Sequence, residues 1–457
     1  MNARAGIEAL QGRYLSGTAT PEREVDAQLA RIGRSRSNAF VHVRADAARA
    51  EAALATAALR EGRAVGALHG VTVAVKDLID VAGTATTCGS AQHLQRQAGA
   101  DAPAVARLRA AGAIVIGKAN THEFAYGATG DRSHFGPVAN PHDPARMAGG
   151  SSSGSAAAVS EGLAHAALGT DTSGSIRIPS ALCGVVGLKP SFDLLPLAGV
   201  QPLSRSLDHV GPVAGTVRDC ALLLSVLAQA PLSRYWSGGA ASLAGRTVGV
   251  PTDYFGEPVQ EAVAQALRRA QAVLARAGAK LVAIAVPGLA QAHAAQQCIL
   301  QVEALDQHAQ ALRAGAPFGE EVRERLQAAQ HVLASDYLAA LREQAAFRDR
   351  MDRVFGQVDA LLVPTCPMTA PLLQERETAL EAGRFPTRWL ITRCTVPASL
   401  SGHPALSVPF GRDGRGLPIG VQLVGPMHGE CGLFDVGAAL EEAGEAACGF
   451  LVGAQAT

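Results

Sequence analysis

Aromatic side chains, lysine and long apolar runs are all scarce in this chain of 457 residues. Because no run of 18 apolar residues occurs, the sequence predicts no membrane-spanning helix. The first twenty residues lack the hydrophobic segment of a secretory signal peptide, so we expect a cytoplasmic protein. The eight cysteines form no C-x-x-C pair and no compact framework, which is typical of buried thiols in a reducing compartment.

An excess of either charge is also lacking, since 40 basic residues balance 40 acidic ones. The sequence therefore predicts binding neither to nucleic acid nor to an anionic membrane surface. The expected partner is a small-molecule substrate. A homodimer is expected only because dimers are the commonest assembly of soluble proteins.

Lysine occurs at only four positions, namely Lys76, Lys118, Lys189 and Lys280, and arginine supplies the remaining positive charge. Arginine stays protonated in proteins, whereas a buried lysine can lose its proton. Each lysine is therefore a candidate for a site that needs a neutral amine. Chance alone also explains so small a number.

Helices alternate with short apolar strands through most of the sequence, which predicts an α/β fold with helices covering a sheet. Residues 103–111, for example, indicate a helix, and residues 113–116 indicate a buried strand. Two stretches break the alternation. Residues 149–187 are rich in Gly, Ser and Ala and are expected to form a site, and residues 290–350 are almost wholly helical in pattern.

The segment 70–77 predicts a strand that ends in Lys76 beside small residues. An ammonium group buried there would lose its hydration, and burial can bring a lysine pKa down to about 5–6. Lys76 is thus a candidate general base. Two alternatives stay open, a side chain that reaches past the strand end into solvent and an ion pair with Asp77 or Asp80.

Residues 148–158 form a turn of serines and glycines that leads into a helix. Residues 150–154 satisfy G-x-S-x-G, the nucleophile elbow of α/β-hydrolases, but that elbow requires a strand directly before it. Here the preceding residues 140–146 form a polar loop broken by prolines, so we discount the elbow. No G-K-[ST] follows, and a phosphate-binding loop is therefore poorly supported.

Residues 169–179 predict a tight polar loop after the small-residue helix. The backbone N–H groups of residues 172–175 could converge on one point, as an oxyanion hole requires, and Ser175 would then be placed to attack. A purely structural interpretation is also open. In it, Asp171 accepts hydrogen bonds from local N–H groups and forms an ion pair with Arg177.

Together the three segments resemble the amidase signature family, whose pattern is a lysine at a strand end, then G-G-S-S-[GS]-G, then G-T-D-x-x-G-S-x-R-x-P. The likeness returns at residues 402–405 and 417–422. It implies a central mixed, twisted β-sheet covered by helices on both faces. It also implies a single domain over residues 1–457, with an N-terminal helical region over 1–65, a catalytic signature core over 66–225 and a helical insertion or cap over 290–350.

The resemblance makes Ser175 the nucleophile, Ser151 the bridging serine and Lys76 the base. The spacing of the two serines matches the family's and selects Ser151 rather than Ser152. The Gly150–Ser151 peptide bond is expected to be cis. The implied reaction is hydrolysis of a carboxylic amide, or a ureide, to an acid and ammonia or an amine through an acyl-enzyme on Ser175, with no metal and no organic cofactor.

The resemblance also implies which groups surround the reacting bond. It assigns the oxyanion hole to Thr172, Ser173 and Gly174. It assigns substrate binding to Tyr126, Gly127, Gly149 and Gly150. Specificity is expected from side chains in residues 120–127, 196–206 and 290–390.

Departures from the family pattern leave two alternatives open. The chain also resembles the glutamine-using component of glutamyl-tRNA amidotransferase, but Thr392 and Arg393 lie where such proteins carry an acidic residue for the amino group of glutamine. Residues 123–127 and 140–143 resemble the biuret hydrolases of triazine breakdown, which implies a ureide substrate. Ser173 stands where many relatives have glycine, and its hydroxyl could lie near the oxyanion.

A zinc site is not predicted. His122 and Glu123 suggest one, but H-E-x-x-H is incomplete because Tyr126 occupies the second histidine position. No S-x-x-K precedes any lysine, which argues against a serine enzyme of the penicillin-binding type.

Overall fold

The computed structural model describes residues 6–63, 66–239 and 242–448. Residues 1–5 and 64–65 of the predicted N-terminal region lie outside the described residues. The side chains of residues 445–448 are not described either.

A single sheet of eleven strands forms the centre of the described chain, and two small hairpins, β4–β5 and β12–β13, lie apart from it. The strands are β1 Phe40–Val43, β2 Thr72–Lys76, β3 Ile114–Ala119, β4 Ala139–Asn140, β5 Asp143–Met147, β6 Ala166–Asp171, β7 Val186–Lys189, β8 His209–Ala214, β9 Thr247–Pro251, β10 Lys280–Ile284, β11 Ala360–Pro364, β12 Glu377–Leu380, β13 Gly383–Pro386, β14 Ala405–Arg412 and β15 Pro418–Val424.

The strand order in the large sheet is β1-β3-β2-β6-β8-β7-β14-β15-β11-β9-β10. Strand β2 runs parallel to β3 and β6, and β9 runs parallel to β10 and β11, while the other neighbouring pairs are antiparallel. The sheet is therefore mixed, as predicted.

Helices pack on both faces of this sheet. They are α1 Ile7–Leu15, α2 Pro21–Ile32, α3 Ala45–Arg60, α4 Pro103–Ala110, α5 Ser153–Ser160, α6 Arg177–Cys183, α7 Val217–Leu227, α8 Glu261–Arg276, α9 Leu289–Arg313, α10 Glu320–Ala329, α11 Ala334–Phe355, α12 Thr387–Thr392, α13 Val396–Ser401 and α14 Glu430–Cys448.

Strand β2 shows how alternation places the candidate base. Val73 and Val75 pack into one apolar cluster, whereas Ala74 packs into another cluster on the opposite face. Lys76 has the same parity as Ala74, so its side chain leaves the strand on the face lined by small residues. The α/β prediction is confirmed, and both faces of the sheet are buried.

Small residues bring the first serine loop close to the sheet. Helix α5 begins at Ser153, directly after the candidate serines, and its next residue is Gly154. A Cβ at Gly154 would lie 2.3 Å from Ala39 O and 2.5 Å from Asn120 N, so only glycine allows this approach. The loop before α5 is thereby held near the carboxyl ends of β2 and β3.

Residues 289–355 form three helices that pack together around their own apolar cluster. Helix α9 contributes Ile299 to this cluster, α10 contributes Leu326 and α11 contributes Phe347, and all three side chains are buried. Helix α9 also contacts α13, which follows in the last third of the chain. Helices α9, α10 and α12 line one wall of the cavity described below.

Candidate active site

Lys76 ends strand β2 and is fully buried. Its Nζ lies 2.7 Å from Ser151 Oγ and 2.7 Å from Thr170 Oγ1. Burial lowers the pKa of this amine to about 7, against the opposing effect of the Asp171 and Asp208 carboxylates. A neutral amine is therefore available close to pH 7.

The structure has neither of the two alternatives for Lys76 that the sequence left open. Asp77 forms its ion pair with Lys118, with Nζ 2.9 Å from Oδ1, and Asp80 pairs with Arg96 at 2.8 Å. Within residues 6–63, 66–239 and 242–448, no carboxylate lies within ion-pair distance of Lys76 Nζ. Its polar neighbours are hydroxyl and carbonyl oxygens.

Lys118, on the neighbouring strand β3, has a different environment although it is equally buried. Besides Asp77, its Nζ donates to Ala85 O at 3.1 Å and to Thr86 Oγ1 at 3.0 Å. A charged partner and two neutral acceptors stabilise the ammonium form. We therefore assign Lys118 a structural role, as the sequence predicted.

The two candidate serines of the first loop have separate surroundings. The Gly150–Ser151 peptide bond is cis, as the family resemblance implied. The hydroxyl of Ser152 donates to Thr170 O at 3.1 Å and accepts from Thr170 N at 3.2 Å, so both of its functions serve the backbone. Only the hydroxyl of Ser151 contacts the buried amine, which favours the register that selects Ser151.

The second serine loop is directly joined to the first. Ser152 N donates to Ser175 O at 3.1 Å, and Ser175 is 5% exposed. This bond fixes the backbone of the predicted nucleophile relative to the loop of Ser151. Helix α6 begins two residues later, at Arg177.

Asp171 orders the loop around Ser175. Its Oδ1 accepts from Gly174 N at 2.7 Å, and its Oδ2 accepts from Ile176 N at 3.2 Å. Arg177 donates to both carboxylate oxygens at 2.9 Å. Burial by itself would raise the pKa of Asp171, but the guanidinium of Arg177 holds it well below its usual range. The capped turn and ion pair predicted as a structural interpretation are thus both present.

The N–H groups predicted for the oxyanion hole differ in their availability. The N–H of Gly174 is bound to the Asp171 carboxylate. Among the described residues, the N–H groups of Thr172, Ser173 and Ser175 have no acceptor. Two of the three predicted donors are therefore available to a substrate oxygen, and the third stabilises the loop.

A cavity of about 260 Å³ opens at Ser175. Tyr126 and Gly127, two of the four residues predicted to bind substrate, line this cavity, and Gly149 and Gly150 do not. A Cβ at Gly149 would lie 3.2 Å from Pro179 Cα, and Gly150 N donates to Ala128 O at 2.7 Å. These two glycines serve backbone packing around the serine loop.

The rest of the cavity wall comes from distant parts of the chain. Leu203 belongs to the predicted specificity region 196–206, and His293, Arg325, Arg388 and Trp389 belong to region 290–390. No motif marks any of these side chains in the sequence. The pairing of α9 and α10 with the catalytic loops brings them to the cavity.

Two arginines give the cavity a positive charge. The Arg325 guanidinium lies 3.5 Å from the ring centroid of Tyr126, and its Nη1 donates to Tyr126 O. Burial lowers the pKa of Arg325 to about 10, and the nearby Arg388 lowers it as well. No aspartate or glutamate lines the cavity, and neither arginine forms an ion pair with a described carboxylate.

Comparison with known proteins identifies the family. The amidase family model matches residues 24–434. The chain belongs to the amidase family. Its predicted fold and its assignment as an enzyme acting on amide C–N bonds are confirmed by this match and by solved structures of the same fold.

Three similar proteins show the range of this amidase's relatives. The A-type subunit of glutamyl-tRNA(Gln) amidotransferase from Chloroflexus aurantiacus is 36% identical, covering 95% of this chain and 96% of the relative. A solved amidase structure is 36% identical with a TM-score of 0.90, covering 96% and 99%. A chain from a vestigial complex, which reveals the evolutionary origins of an s-triazine catabolic enzyme, is 33% identical with a TM-score of 0.90, covering 96% and 98%.

The amidase shows no metal-binding cluster in the part of the chain that the structure describes, where no three His, Cys, Asp or Glu residues come together. Burial lowers the pKa of His122 to about 4, and Glu123 accepts hydrogen bonds from Ser90 Oγ and Gly319 N. Among the described helices, none is both long and apolar enough to cross a membrane.

Proposed function

We propose that this amidase hydrolyses a carboxylic amide through an acyl-enzyme on Ser175. Neutral Lys76 accepts a proton from Ser151 while Ser151 accepts one from Ser175, and Ser175 Oγ attacks the carbonyl carbon. Collapse of the tetrahedral intermediate breaks the C–N bond, and Ser151 returns the proton to the leaving nitrogen. Water then cleaves the ester by the same relay, which releases the acid and restores the free serine.

One observation carries this proposal. Lys76 Nζ is fully buried, lies 2.7 Å from Ser151 Oγ and has no carboxylate partner among the described residues. A buried amine without a counter-charge readily gives up its proton, and a hydroxyl at hydrogen-bond distance is the proton donor that such a base requires. The available N–H groups of Thr172 and Ser173 support stabilisation of the oxyanion.

The test compares three serine variants in ammonia release. Ser175→Ala and Ser151→Ala should each lower kcat/KM by roughly 10⁴-fold or more, because the relay acts as a unit. Ser152→Ala should retain activity within about tenfold, since its hydroxyl binds only the backbone of Thr170. An active Ser175→Ala protein, or a dead Ser152→Ala protein beside a healthy Ser151→Ala protein, would overturn the assignment.

The charge of the cavity supports an amide or ureide that also carries an anionic group. Arg325 and Arg388 line the cavity, and no carboxylate among its lining residues faces them. Bringing an anion between two nearby guanidinium groups relieves their repulsion and adds charge-assisted hydrogen bonds. A panel that pairs neutral amides with carboxylate-bearing amides and ureides, scored by ammonia release, identifies the preferred substrate.

A second candidate is the glutamine-using component of a tRNA-dependent amidotransferase, which the similarity to the Chloroflexus aurantiacus protein favours. Against it, Thr392 lies in the cavity wall where an acidic residue would bind the amino group of glutamine. Arg393 points elsewhere, since its Nη1 donates to Pro258 O at 3.2 Å. Hydrolysis of simple amides by the purified chain alone supports the first function, and ammonia release only from glutamine with partner proteins supports the second.

A cytoplasmic enzyme acting on a small molecule is part of the same proposal. All seven cysteines whose side chains are described carry free thiols, which is typical of a reducing compartment. A homodimer stays a prediction from the frequency of dimers among soluble proteins.

A further inference from the structure

Ser173 lies two residues before the predicted nucleophile and lines the same cavity. Its carbonyl oxygen accepts from Thr395 Oγ1 at 2.5 Å. The next residue, Gly174, has φ +123°, and a Cβ there would lie 2.2 Å from Thr395 Oγ1. The backbone at Ser173 is thus held in one conformation, which fixes where its side chain begins.

Gln296 of helix α9 determines how the hydroxyl of Ser173 is used. It is fully buried, its Nε2 donates to Ser173 Oγ at 2.5 Å, and the same nitrogen lies 3.4 Å from Thr172 O. Its Oε1 accepts from Gln297 Nε2 at 2.8 Å. Two acceptors face the nitrogen and one donor faces the oxygen, so this orientation of the amide agrees with its surroundings.

An amide nitrogen only donates, so Ser173 Oγ must act as the acceptor of this bond. The proton of the same hydroxyl is then left over, and it has no acceptor among the described residues. Since the side chain lines the cavity, a bound substrate is the group that can accept it. Gly174 N–H, one of the predicted oxyanion donors, is meanwhile bound to Asp171.

We propose that Ser173 Oγ–H donates a hydrogen bond to the carbonyl oxygen of the bound amide as it becomes an oxyanion, and that Gln296 orients the hydroxyl for this contact. Ser173 is then a catalytic residue and Gln296 a positioning residue. The inference rests on the proposed function, since the oxyanion forms only if Ser175 attacks. It assigns to the side chain part of the stabilisation that the Gly174 N–H does not supply.

The test uses Ser173→Ala, Gln296→Glu and the double variant in the full chain, with the amide that the unmodified enzyme hydrolyses fastest. Ser173→Ala should lower kcat about 10- to 100-fold with KM changed less than about threefold, as expected for one hydrogen bond to a charged oxygen. Gln296→Glu should cause a loss of similar size, because a carboxylate accepts the hydroxyl proton and withdraws it from the substrate. The double variant should be no worse than Ser173→Ala alone.

Matched variants separate this role from a structural one. Gln310→Glu makes the same change at an exposed position of α9 and should leave kcat within about twofold. Ser173→Gly and Gln296→Met repeat the two changes without a methyl group or a buried charge, and thermal unfolding identifies any variant that does not fold. Ser173→Gly should match Ser173→Ala in kcat, and Gln296→Met should lose activity only if Ser173 is present.

Two results would overturn the proposal. One is a folded Ser173→Ala or Ser173→Gly enzyme with unchanged kcat, and the other is a double variant whose loss equals the product of the two single losses. Mass spectrometry of the trapped acyl-enzyme distinguishes the failures. Hydrolysis without acylation of Ser175 would overturn the proposed function as well, whereas acylated Ser175 beside a fully active Ser173→Ala enzyme would overturn only the role of Ser173.

Discussion

Two parts of this amidase meet at Ser175, and they differ in how their residues reach the site. Residues 66–225 supply Lys76, Ser151 and the Asp171 loop, all buried and connected by short hydrogen bonds. Residues 289–401 supply most of the far wall of the cavity, and its side chains contact the site from separate helices. The first part therefore determines the reaction and the second determines which amide is accepted.

The difference teaches how reaction chemistry and substrate specificity are divided in one fold. The reacting groups must keep distances near 2.7 Å, so rigid strand ends and tight loops carry them. The cavity wall needs only suitable shape and charge, and helices can exchange side chains without disturbing the relay. The predictions below test each part separately.

Removing the base should have the largest effect. Lys76→Met should lower kcat/KM by roughly 10⁴-fold or more, because the proton relay loses its acceptor. Lys76→Arg should be equally inactive, since a guanidinium stays protonated. Ammonia release at saturating substrate measures both variants, and a circular dichroism spectrum checks that they fold. Substantial activity in Lys76→Arg would mean that a positive charge, and not proton transfer, is what the site needs.

The other buried lysine of the catalytic part should affect stability. Lys118→Met leaves Asp77 buried without its partner and should cost about 3–5 kcal/mol of unfolding free energy. Lys280→Met changes an exposed lysine and should stay within about 0.5 kcal/mol. Urea unfolding of the two variants gives the comparison. Equal midpoints would show that the Lys118–Asp77 pair does not stabilise the fold.

The wall of the second part should affect substrate choice. Arg388→Gln should raise KM for a carboxylate-bearing amide about tenfold and leave a neutral amide of the same shape nearly unchanged. Arg384→Gln, whose side chain pairs with Glu377 outside the cavity, is the matched control. Steady-state kinetics with the two substrates decide the point. A parallel loss on both substrates would argue against recognition of an anion.

The smallest expected effect is on pH dependence. The neutral form of Lys76 is the working base, and its pKa near 7 means that this form decreases as the pH falls. kcat/KM should therefore drop about tenfold per unit well below pH 7 and level off above about pH 8. A pH profile between about 5 and 9 measures this limb. Activity that is flat down to about pH 5 would rule out an amine of this pKa as the base.

Much of the catalytic part could be predicted because its signals are local. The alternation of valines around Lys76 predicts a strand with the lysine on its small-residue face, and the structure shows that strand at Thr72–Lys76. The loop of residues 169–179 predicts both an ion pair and donors, and both are present. That Gly174 N–H binds Asp171 was not predictable, because several nearby N–H groups compete for one carboxylate.

The sequence by itself determined the reacting groups, the alternation that buries Lys76 and the α/β class, because these depend on residues close together in the chain. Only the tertiary structure decided that Asp77 pairs with Lys118 and that Gln296, Arg325 and Arg388 meet the catalytic loops. The physical reason is that sheet neighbours and packed helices bring together groups far apart in sequence. No local pattern encodes which of many equivalent side chains will meet there.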